Sequence, residues 1–298
     1  MAIADKVFSG DTFKVGYRFQ RHWDNSMAYA FFCAEAGAGL FFVSMLLGSV
    51  PGMIIGLIPV ATGKPYFHLS HMGVPARSWR AALRPDRSWI SRGLLGLSAL
   101  IGFGGLLVLC LMFGSQFGVE ANSAAITILK LLAGGFALMT MTYQGFAMSH
   151  SSAIAIWNSA VLPLSSFIYS LAAGVTIARL VVSSAESATL VDAQLLLLLS
   201  VGIMHLMLLH AAWHGTPGAR TSTELLLQTN YAKWFWGLTV AAGIVLPALL
   251  VWVAPTSMVA SIVACAGMLV GFMAWRILIF KIGLYEPILS MNPFNPMQ

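Results

Sequence analysis

Two histidines, His68 and His71, stand three residues apart at the end of a long apolar run. This spacing places both imidazoles on one face of a helix, at the boundary where the apolar run stops. Imidazole titrates near neutral pH, so either ring could accept a proton from a quinol headgroup or hydrogen-bond to it. The alternative is structural, with the histidines capping the end of the helix at the membrane interface.

Two further segments bring polar side chains to the same boundary. Tyr143 lies near the end of the fourth apolar run, in TYQGFAMSHSSAIAIWNS, and Asn25 closes the polar segment 22–25 before the first run. Small-molecule sites are built from a few polar groups that orient the ligand inside an apolar pocket. These segments therefore form a candidate binding site, although Tyr143 also suits an aromatic anchor at the membrane interface.

Three charged residues, Glu35, Lys130 and Arg276, lie inside apolar runs. A charge at the bilayer centre costs about 2.5–3.5 kcal/mol on insertion scales, so such groups face the protein interior, pair with each other or line a path for water. These residues form a candidate proton path, and a structural pair between Glu35 and either Lys130 or Arg276 is the alternative. Both interpretations predict that Glu35 points inward.

Histidines also occur in the sixth apolar run, at positions His205, His210 and His214. Histidines are axial ligands of haem in several classes of haem protein, and a membrane b-type cytochrome would take them from facing helices. The spacings in this run turn the three side chains only partly to one side. Haem ligation therefore competes with ordinary hydrogen bonding between helices.

The elements that would position these residues are membrane-spanning helices. Of the 298 residues, 58% are hydrophobic and only 9% are charged, whereas a soluble domain carries about 25% charged residues. The apolar runs are about 20 residues long, which is enough to cross about 30 Å of hydrocarbon as a helix. We predict an all-α integral membrane protein with about eight transmembrane helices in two packed four-helix bundles.

The domain organisation follows from the same runs. We predict one transmembrane domain, 26–283, between an N-terminal interfacial segment, 1–25, and a C-terminal tail, 284–298. Most of the 16 Lys and Arg residues fall on the side that holds both termini, so that side is predicted to be cytoplasmic. The predicted spans are 26–48, 52–71, 91–113, 122–147, 160–182, 192–214, 232–253 and 256–283.

A strongly basic connection follows His71. A loop of this kind either sets membrane topology or offers a surface on which a protein partner docks. The net charge of +6 is concentrated at helix ends, a distribution that argues against nucleic-acid binding. The three cysteines lie singly in different apolar runs, without the spacing of metal or iron–sulfur ligands. The arginines of the connection are Arg77, Arg80, Arg84, Arg87 and Arg92.

Three stretches carry a resemblance to a known family. HMGVPARSWRAALRPDRSWISRG resembles the H-L-G-x-P…W-R-A…S-W-x-S-R-E segment of the NrfD/PsrC family. TYQGFAMSHSSAIAIWNSAVLPL is similar to the family's Y-x-G…P-x-W-N…L-P segment, and RHWDNSMAYAFFCAEAGAG resembles its first helix. That family supplies membrane subunits to polysulfide-reductase-like and dimethyl-sulfoxide-reductase-like complexes.

The resemblance implies an eight-helix, haem-free subunit that binds menaquinone or ubiquinone and has no redox centre of its own. It also implies two partners, a ferredoxin-like subunit with four iron–sulfur clusters and a molybdopterin catalytic subunit. By matching position, His71 corresponds to the histidine of the first motif, while Tyr143 and Asn25 correspond to residues associated with quinone contact. Gly93 departs from the family, which often has glutamate there, so the proton-handling role of that carboxylate is either unfilled or moved to His68 or Glu35.

Together these patterns predict the quinone-reactive membrane subunit of an oxidoreductase complex in the bacterial inner membrane. His71 would accept a proton or bind the headgroup, Tyr143, Asn25 and His68 would contact it, and the five arginines would dock the partner. The chain itself is expected to hold no metal, haem or iron–sulfur cluster. The alternatives are a haem b-type anchor and a proton-translocating or transport module without quinone chemistry.

Overall fold

The computed structural model describes residues 16–286, except for the side chain of Phe117. Residues 1–15 and 287–298 lie outside the described part of the chain, and with them most of the predicted N-terminal segment and C-terminal tail. About 80% of the described residues belong to helices.

Twelve α-helices, two π-helical segments and two 3₁₀ segments make up the described part. Two short strands, β1 (Arg18–Phe19) and β2 (Leu284–Tyr285), pair antiparallel. The π segments Pro59–Gly63 and Phe235–Val245 join α2 to α3 and α10 to α11, and the 3₁₀ segments are Pro75–Leu83 and Gly114–Phe117. The helices are α1 (Asn25–Leu46), α2 (Val50–Ile58), α3 (Lys64–His71), α4 (Trp89–Phe113), α5 (Ala124–Ser149), α6 (Val161–Val181), α7 (Ser184–Thr189), α8 (Val191–Trp213), α9 (Pro217–Gln228), α10 (Tyr231–Trp234), α11 (Leu246–Val253) and α12 (Met258–Lys281).

Seven helical spans within residues 16–286 are long and apolar enough to cross a membrane. They coincide with seven of the eight predicted spans to within a few residues. The remaining span, 50–71, is helical throughout, but its prolines and Lys64 make it less apolar than the others. Its π segment begins at Pro59, which has no N–H to continue an α-helical ladder. The prediction of an all-α, multi-pass membrane protein is confirmed.

Side-chain caps set where several helices begin. The Asp24 carboxylate accepts the N–H groups of Ser26 and Met27 at the start of α1, and the Ser88 hydroxyl accepts the Ser91 N–H at the start of α4. Such caps satisfy N–H groups that have no partner inside the helix. Asp24 and Ser88 therefore fix two helix starts at the end of the molecule that carries the candidate site.

The spans pack as two four-helix bundles, as predicted. The first core lies among α1, α2, α4 and α5, and the second among α6, α8, α12 and the segment from Phe235 to Val253. Helix α1 packs against both. A Cβ on Gly39 would overlap the backbone at Ser170 of α6, so the small-residue run 34–39 lets two helix backbones come into contact.

Loop contacts hold the end of the molecule where the described chain starts and stops. The indole Nε1 of Trp157, in the α5–α6 connection, donates to the Ile279 carbonyl of α12 at 2.9 Å. The N–H of Gly218, at the start of α9, donates to Glu286 Oε1 at 2.8 Å. These contacts and the β1–β2 ribbon tie the connections on this side to the second bundle.

Candidate functional site

An apolar cavity of about 300 Å³ lies in the first bundle, at the end that faces the β1–β2 ribbon. The three segments grouped from the sequence meet here, since residues just before α1, in α3 and near the end of α5 all line it. The 3₁₀ segment Pro75–Leu83 and α4 complete the wall. Its apolar lining includes Trp23, Phe31, Trp79 and Leu97, and its polar lining includes Lys64, His68, Ser78 and Tyr143.

His68 lines this cavity from the last turn of α3. Its Nδ1 atom is buried and has no hydrogen-bond partner among residues 16–286. A buried polar atom without a partner costs about 1–3 kcal/mol relative to a satisfied one. A ligand oxygen or a bound water in the cavity would remove this cost.

Tyr143 lines the same cavity from α5 and is 6% exposed. Gly93 of α4 makes its position possible, because a Cβ there would overlap the Tyr143 ring. The amide Nε2 of Gln144 donates to the Tyr143 hydroxyl at 3.4 Å, so the phenol keeps its own proton for donation to another acceptor. Gly93, the departure noted in the sequence, is therefore required by the packing of the tyrosine.

His71 takes a different position from His68. Its Nδ1 lies 3.2 Å from Asp24 Oδ1, and the His71 side chain is 27% exposed. His71 is not among the residues that line the cavity, although His68 and Met72 on either side of it are. Asn25 is exposed at the first position of α1 and is not part of the lining either. Both residues lie at the same end of the molecule as the cavity, next to its wall.

The Asp24 carboxylate connects α1 to α3. Partial burial opposes its ionisation, but hydrogen bonds from the Met27 N–H and the His71 imidazole outweigh that effect and lower the pKa of Asp24 below its usual value near 3.8. Asp24 is therefore ionised at neutral pH. An ionised carboxylate accepts a proton donor at Nδ1 of His71, which leaves the other ring nitrogen of His71 free to take up a proton.

The five arginines lie on and beside the wall of the cavity. Trp79 of the 3₁₀ segment lines the cavity, and the Arg80 guanidinium lies 5.7 Å from the centre of its ring. The Ser91 hydroxyl donates to the Ala81 carbonyl, which fastens the 3₁₀ segment to α4. The basic connection is therefore an ordered wall of the site rather than a free loop.

Four of the five arginines are exposed. Arg92, the fifth, donates from Nε to the Pro85 carbonyl at 2.7 Å and from Nη2 to the Asp86 carbonyl at 2.8 Å. Arg87 pairs with Asp86 at 2.9 Å on the surface. Arg77, Arg80 and Arg84 face solvent and leave a cationic surface next to the cavity.

Glu35 and Arg276 form a buried pair between α1 and α12. Both side chains are 0% exposed, and Arg276 Nη2 donates to Glu35 Oε1 at 2.8 Å and to Ser166 Oγ at 3.0 Å. The inward orientation predicted for Glu35 is observed. Lys130 is only partly buried near the start of α5 and forms no ion pair with Glu35 in the described part of the chain. The structure therefore brings together two of the three candidate proton-path residues.

The sixth-span histidines do not converge on one position. His205 is buried, with Nε2 3.2 Å from the Tyr169 hydroxyl and Nδ1 2.9 Å from the Val201 carbonyl. His210 and His214 are exposed one turn apart near the helix end. Both ring nitrogens of His205 are thus engaged in hydrogen bonds between and within helices, the alternative considered above.

Lys64 lines the cavity as well, although it is not among the candidate site residues predicted from the sequence. It begins α3, is 4% exposed, and lines the cavity four residues before His68. Its Nζ lies 4.8 Å from the Phe31 ring centre and 5.6 Å from that of Tyr143. The spacing of four, which places two side chains on one helix face, was the signal that could have joined Lys64 to His68.

Comparison with known families agrees with this architecture. The family model described as polysulphide reductase, NrfD, matches residues 17–286, which includes every span and the whole cavity. A search of curated proteins finds no match to the chain. The chain belongs to the NrfD family and is a membrane subunit of the polysulphide-reductase-like type.

Proposed function

We propose that this chain is the quinone-reactive membrane subunit of a molybdopterin oxidoreductase and exchanges electrons between the membrane quinone pool and a docked iron–sulfur subunit. One observation carries the proposal. The cavity at the membrane boundary is apolar, yet two of its nitrogen atoms, Lys64 Nζ and His68 Nδ1, are buried without hydrogen-bond partners among residues 16–286. A ligand with an apolar ring and peripheral oxygens fits both features.

The residues of the cavity suit a quinone headgroup. Aromatic side chains such as Phe31 and Trp79 offer flat apolar surfaces, and ring systems pack favourably against such surfaces. Tyr143, His68 and Lys64 offer donors to ring oxygens. The volume of about 300 Å³ falls at the lower end of small-molecule pockets, which run from about 300 to 1,000 Å³. When bound, the quinone supplies the redox chemistry that couples electron transfer to proton transfer.

The chain's own part in that chemistry is to bind, orient and move protons. His68 and Tyr143 would hold the headgroup, and the Tyr143 hydroxyl is free to donate. His71 stands between the cavity and solvent with Asp24 on its Nδ1, so its Nε2 would pass protons between the site and the aqueous side. Asn25, beside Asp24, would contact the ligand only at the edge of the site.

Electrons would pass to or from a partner bound at the basic surface. Within residues 16–286 no cluster of three or more His, Cys, Asp or Glu side chains is placed to hold a metal ion. The exposed Arg77, Arg80 and Arg84 belong to the segment that forms one wall of the cavity, so a subunit docked there would come close to the headgroup. We propose a ferredoxin-like subunit with four iron–sulfur clusters at this surface, and a molybdopterin subunit beyond it.

We propose that the chain lies in the bacterial inner membrane, and the charge distribution supports an orientation with the site on the cytoplasmic side. The basic segment and both ends of the described chain lie at the same end of the bundles. Lys and Arg residues concentrate on the cytoplasmic side of membrane proteins.

A direct test is ligand binding to the purified full-length chain. We expect saturable quenching of the fluorescence of 2-heptyl-4-hydroxyquinoline N-oxide, a quinol analogue, with competition by added menaquinone or ubiquinone. Replacing Tyr143 by Phe should weaken binding about fivefold to tenfold, the usual value of one hydrogen bond near 1 kcal/mol. Absence of saturable binding would contradict the proposed function.

A second candidate function, proton translocation without quinone chemistry, draws on the buried pair. Arg276 keeps Nε and Nη1 without hydrogen-bond partners in the described part of the chain, and Tyr169 and His205 continue a polar cluster in the second bundle. The chain reconstituted alone in vesicles would then pass protons down an imposed pH gradient, and Glu35→Gln would abolish that flux. Equal proton leak through the wild-type chain and the Glu35→Gln variant would contradict this candidate function.

A further inference from the structure

The ammonium group of Lys64 is buried and forms no hydrogen bond or ion pair among residues 16–286. The residue is 4% exposed. Its Nζ lies over the faces of two rings, Phe31 at 4.8 Å and Tyr143 at 5.6 Å, while the Glu35 carboxylate, which pairs with Arg276, acts on it only through longer-range electrostatics. Ring faces attract a cation, but they accept none of its hydrogen bonds.

Two other buried cations, Arg276 and Arg179, have hydrogen-bond acceptors within the protein. Arg276 has the Glu35 carboxylate at 2.8 Å. Arg179, at the far end of the second bundle, donates to Gln194 Oε1 and to the Pro255 carbonyl, each at 2.6 Å. Burying a charge is costly unless it is paired and hydrogen-bonded. The N–H donors of Lys64 therefore need a hydrogen-bond acceptor that does not belong to the described part of the chain, such as a bound ligand.

The cavity is where that acceptor can enter. Lys64 and His68 line it from one face of α3, and Tyr143 lines it from α5. Three polar groups from two helices thus converge on a space that is otherwise apolar. The ammonium is the only charged group among the residues that line the cavity.

We propose that Lys64 is a ligand-binding residue of this site, which donates a hydrogen bond to a ring oxygen and selects ligands whose oxygen carries negative charge. The inference rests on the proposed function and deepens it. The preferred ligand class is an aromatic ring with a charged or strongly polarised oxygen, such as a quinol that has lost a proton or a quinoline N-oxide. A neutral ring without such an oxygen would bind less tightly.

The experiment is titration of 2-heptyl-4-hydroxyquinoline N-oxide into the full-length chain in detergent, for wild type, Lys64→Met and Lys130→Met. Lys130→Met is the matched control because Lys130 also lies in a spanning helix but does not line the cavity. We expect Lys64→Met to weaken binding about tenfold to a hundredfold, as for a hydrogen bond to a charged group. Lys130→Met should bind within about twofold of wild type.

Lys64→Gln provides a second variant, because it keeps a donor but no charge. We expect its affinity to lie between those of wild type and Lys64→Met. Both variants should unfold at or above the wild-type temperature, because each removes a buried charge that has no ion-pair partner. If neither variant folds, the Lys64 charge is needed for the fold itself, and the inference is overturned.

The outcomes separate the two proposals. If wild type binds the probe and Lys64→Met binds it equally well, the role of Lys64 is overturned while the quinone site stands. If wild type shows no saturable binding, the quinone site and the role of Lys64 both fall.

Discussion

The ring of Tyr143 lies directly against the backbone of Gly93, in the space that a β-carbon on Gly93 would need. This contact joins α4 to α5 beside the cavity and sets where the phenol stands. With the ring in this position, any residue larger than glycine at position 93 would force the Tyr143 side chain to move.

The first prediction follows from this contact. Gly93→Ala should push the Tyr143 ring aside, lower stability by about 1–3 kcal/mol as overpacked substitutions do, and weaken quinol-analogue binding. Gly102→Ala is the matched control, because it lies on the same helix with nothing near its added carbon. The control should be neutral or gain up to about 1 kcal/mol from helix propensity. Thermal unfolding and probe titration of both variants measure the difference, and equal behaviour would contradict the role of the contact.

The second prediction concerns the buried pair of Glu35 and Arg276. Glu35→Gln leaves the Arg276 charge buried without its anion, so we expect a loss of about 3–5 kcal/mol. Replacing both residues, Glu35→Leu with Arg276→Met, removes both charges and should recover most of that loss. Glu186→Gln is the control, because Glu186 caps α7 on the surface and glutamine can serve in the same capping box. A double variant as unstable as Glu35→Gln would argue that the charges themselves are needed.

The third prediction is a pH dependence of stability at Asp24. Its pKa in the folded chain lies below its usual value near 3.8. A lowered pKa adds stability above the unfolded value, and that contribution is lost as the pH falls through the folded value. Asp24→Asn keeps a good helix cap but cannot ionise, so it isolates the charge. The stability of wild type relative to Asp24→Asn should fall as the pH drops below about 4.

The size of this effect is small, because the Asp24 side chain is 53% exposed and its pairing with His71 is screened by solvent. Unfolding midpoints of the two proteins between about pH 3 and pH 7 supply the measurement. An advantage of wild type over Asp24→Asn that grows as the pH falls below about 4 would have the opposite sign and contradict the lowered pKa.

The fourth prediction concerns the basic surface. Reversing three exposed charges, Arg77→Glu, Arg80→Glu and Arg84→Glu, should slow association with the proposed iron–sulfur partner about tenfold or more at low salt, because complementary charges steer encounter. The effect should shrink as salt is raised, since exposed charges are screened. Lys281→Glu, a single exposed charge at the end of α12, is the control. If the association rate changes neither with the charge reversal nor with the salt concentration, the partner docks on another surface.

Much of the fold could be predicted because hydropathy and length decide membrane helices. The spans follow from runs of about 20 apolar residues, and the small-residue run around Gly39 favours close approach of another helix, which the structure shows to be α6. Helix α9 could not be predicted in this way. It is short and rich in Thr and Ser, and its burial against the second bundle depends on tertiary packing.

The candidate site was only partly predictable for a similar reason. The sequence could place Tyr143 and His68 at one boundary, but it could not choose between Lys130 and Arg276 as the partner of Glu35, because that depends on α1 meeting α12. Lys64 was missed because its importance lies in which rings surround it, and those come from α1 and α5. Residue type and spacing locate a site, whereas the packing of distant helices decides which residues share it.

The fifth prediction separates the two histidines of α3. His68 lines the cavity with an unsatisfied nitrogen, so His68→Ala should weaken binding of the quinol analogue and raise the KM for quinol. His71 stands outside the lining in contact with Asp24, so His71→Ala should leave binding within about twofold and lower kcat about tenfold to a hundredfold, the scale of one general acid–base group. Adding imidazole to the assembled complex should restore part of the His71→Ala rate but not the affinity of His68→Ala. If instead His71→Ala loses the ligand and His68→Ala keeps it, the proton-relay and ligand-binding roles are exchanged and the headgroup lies nearer to Asp24 than the cavity indicates.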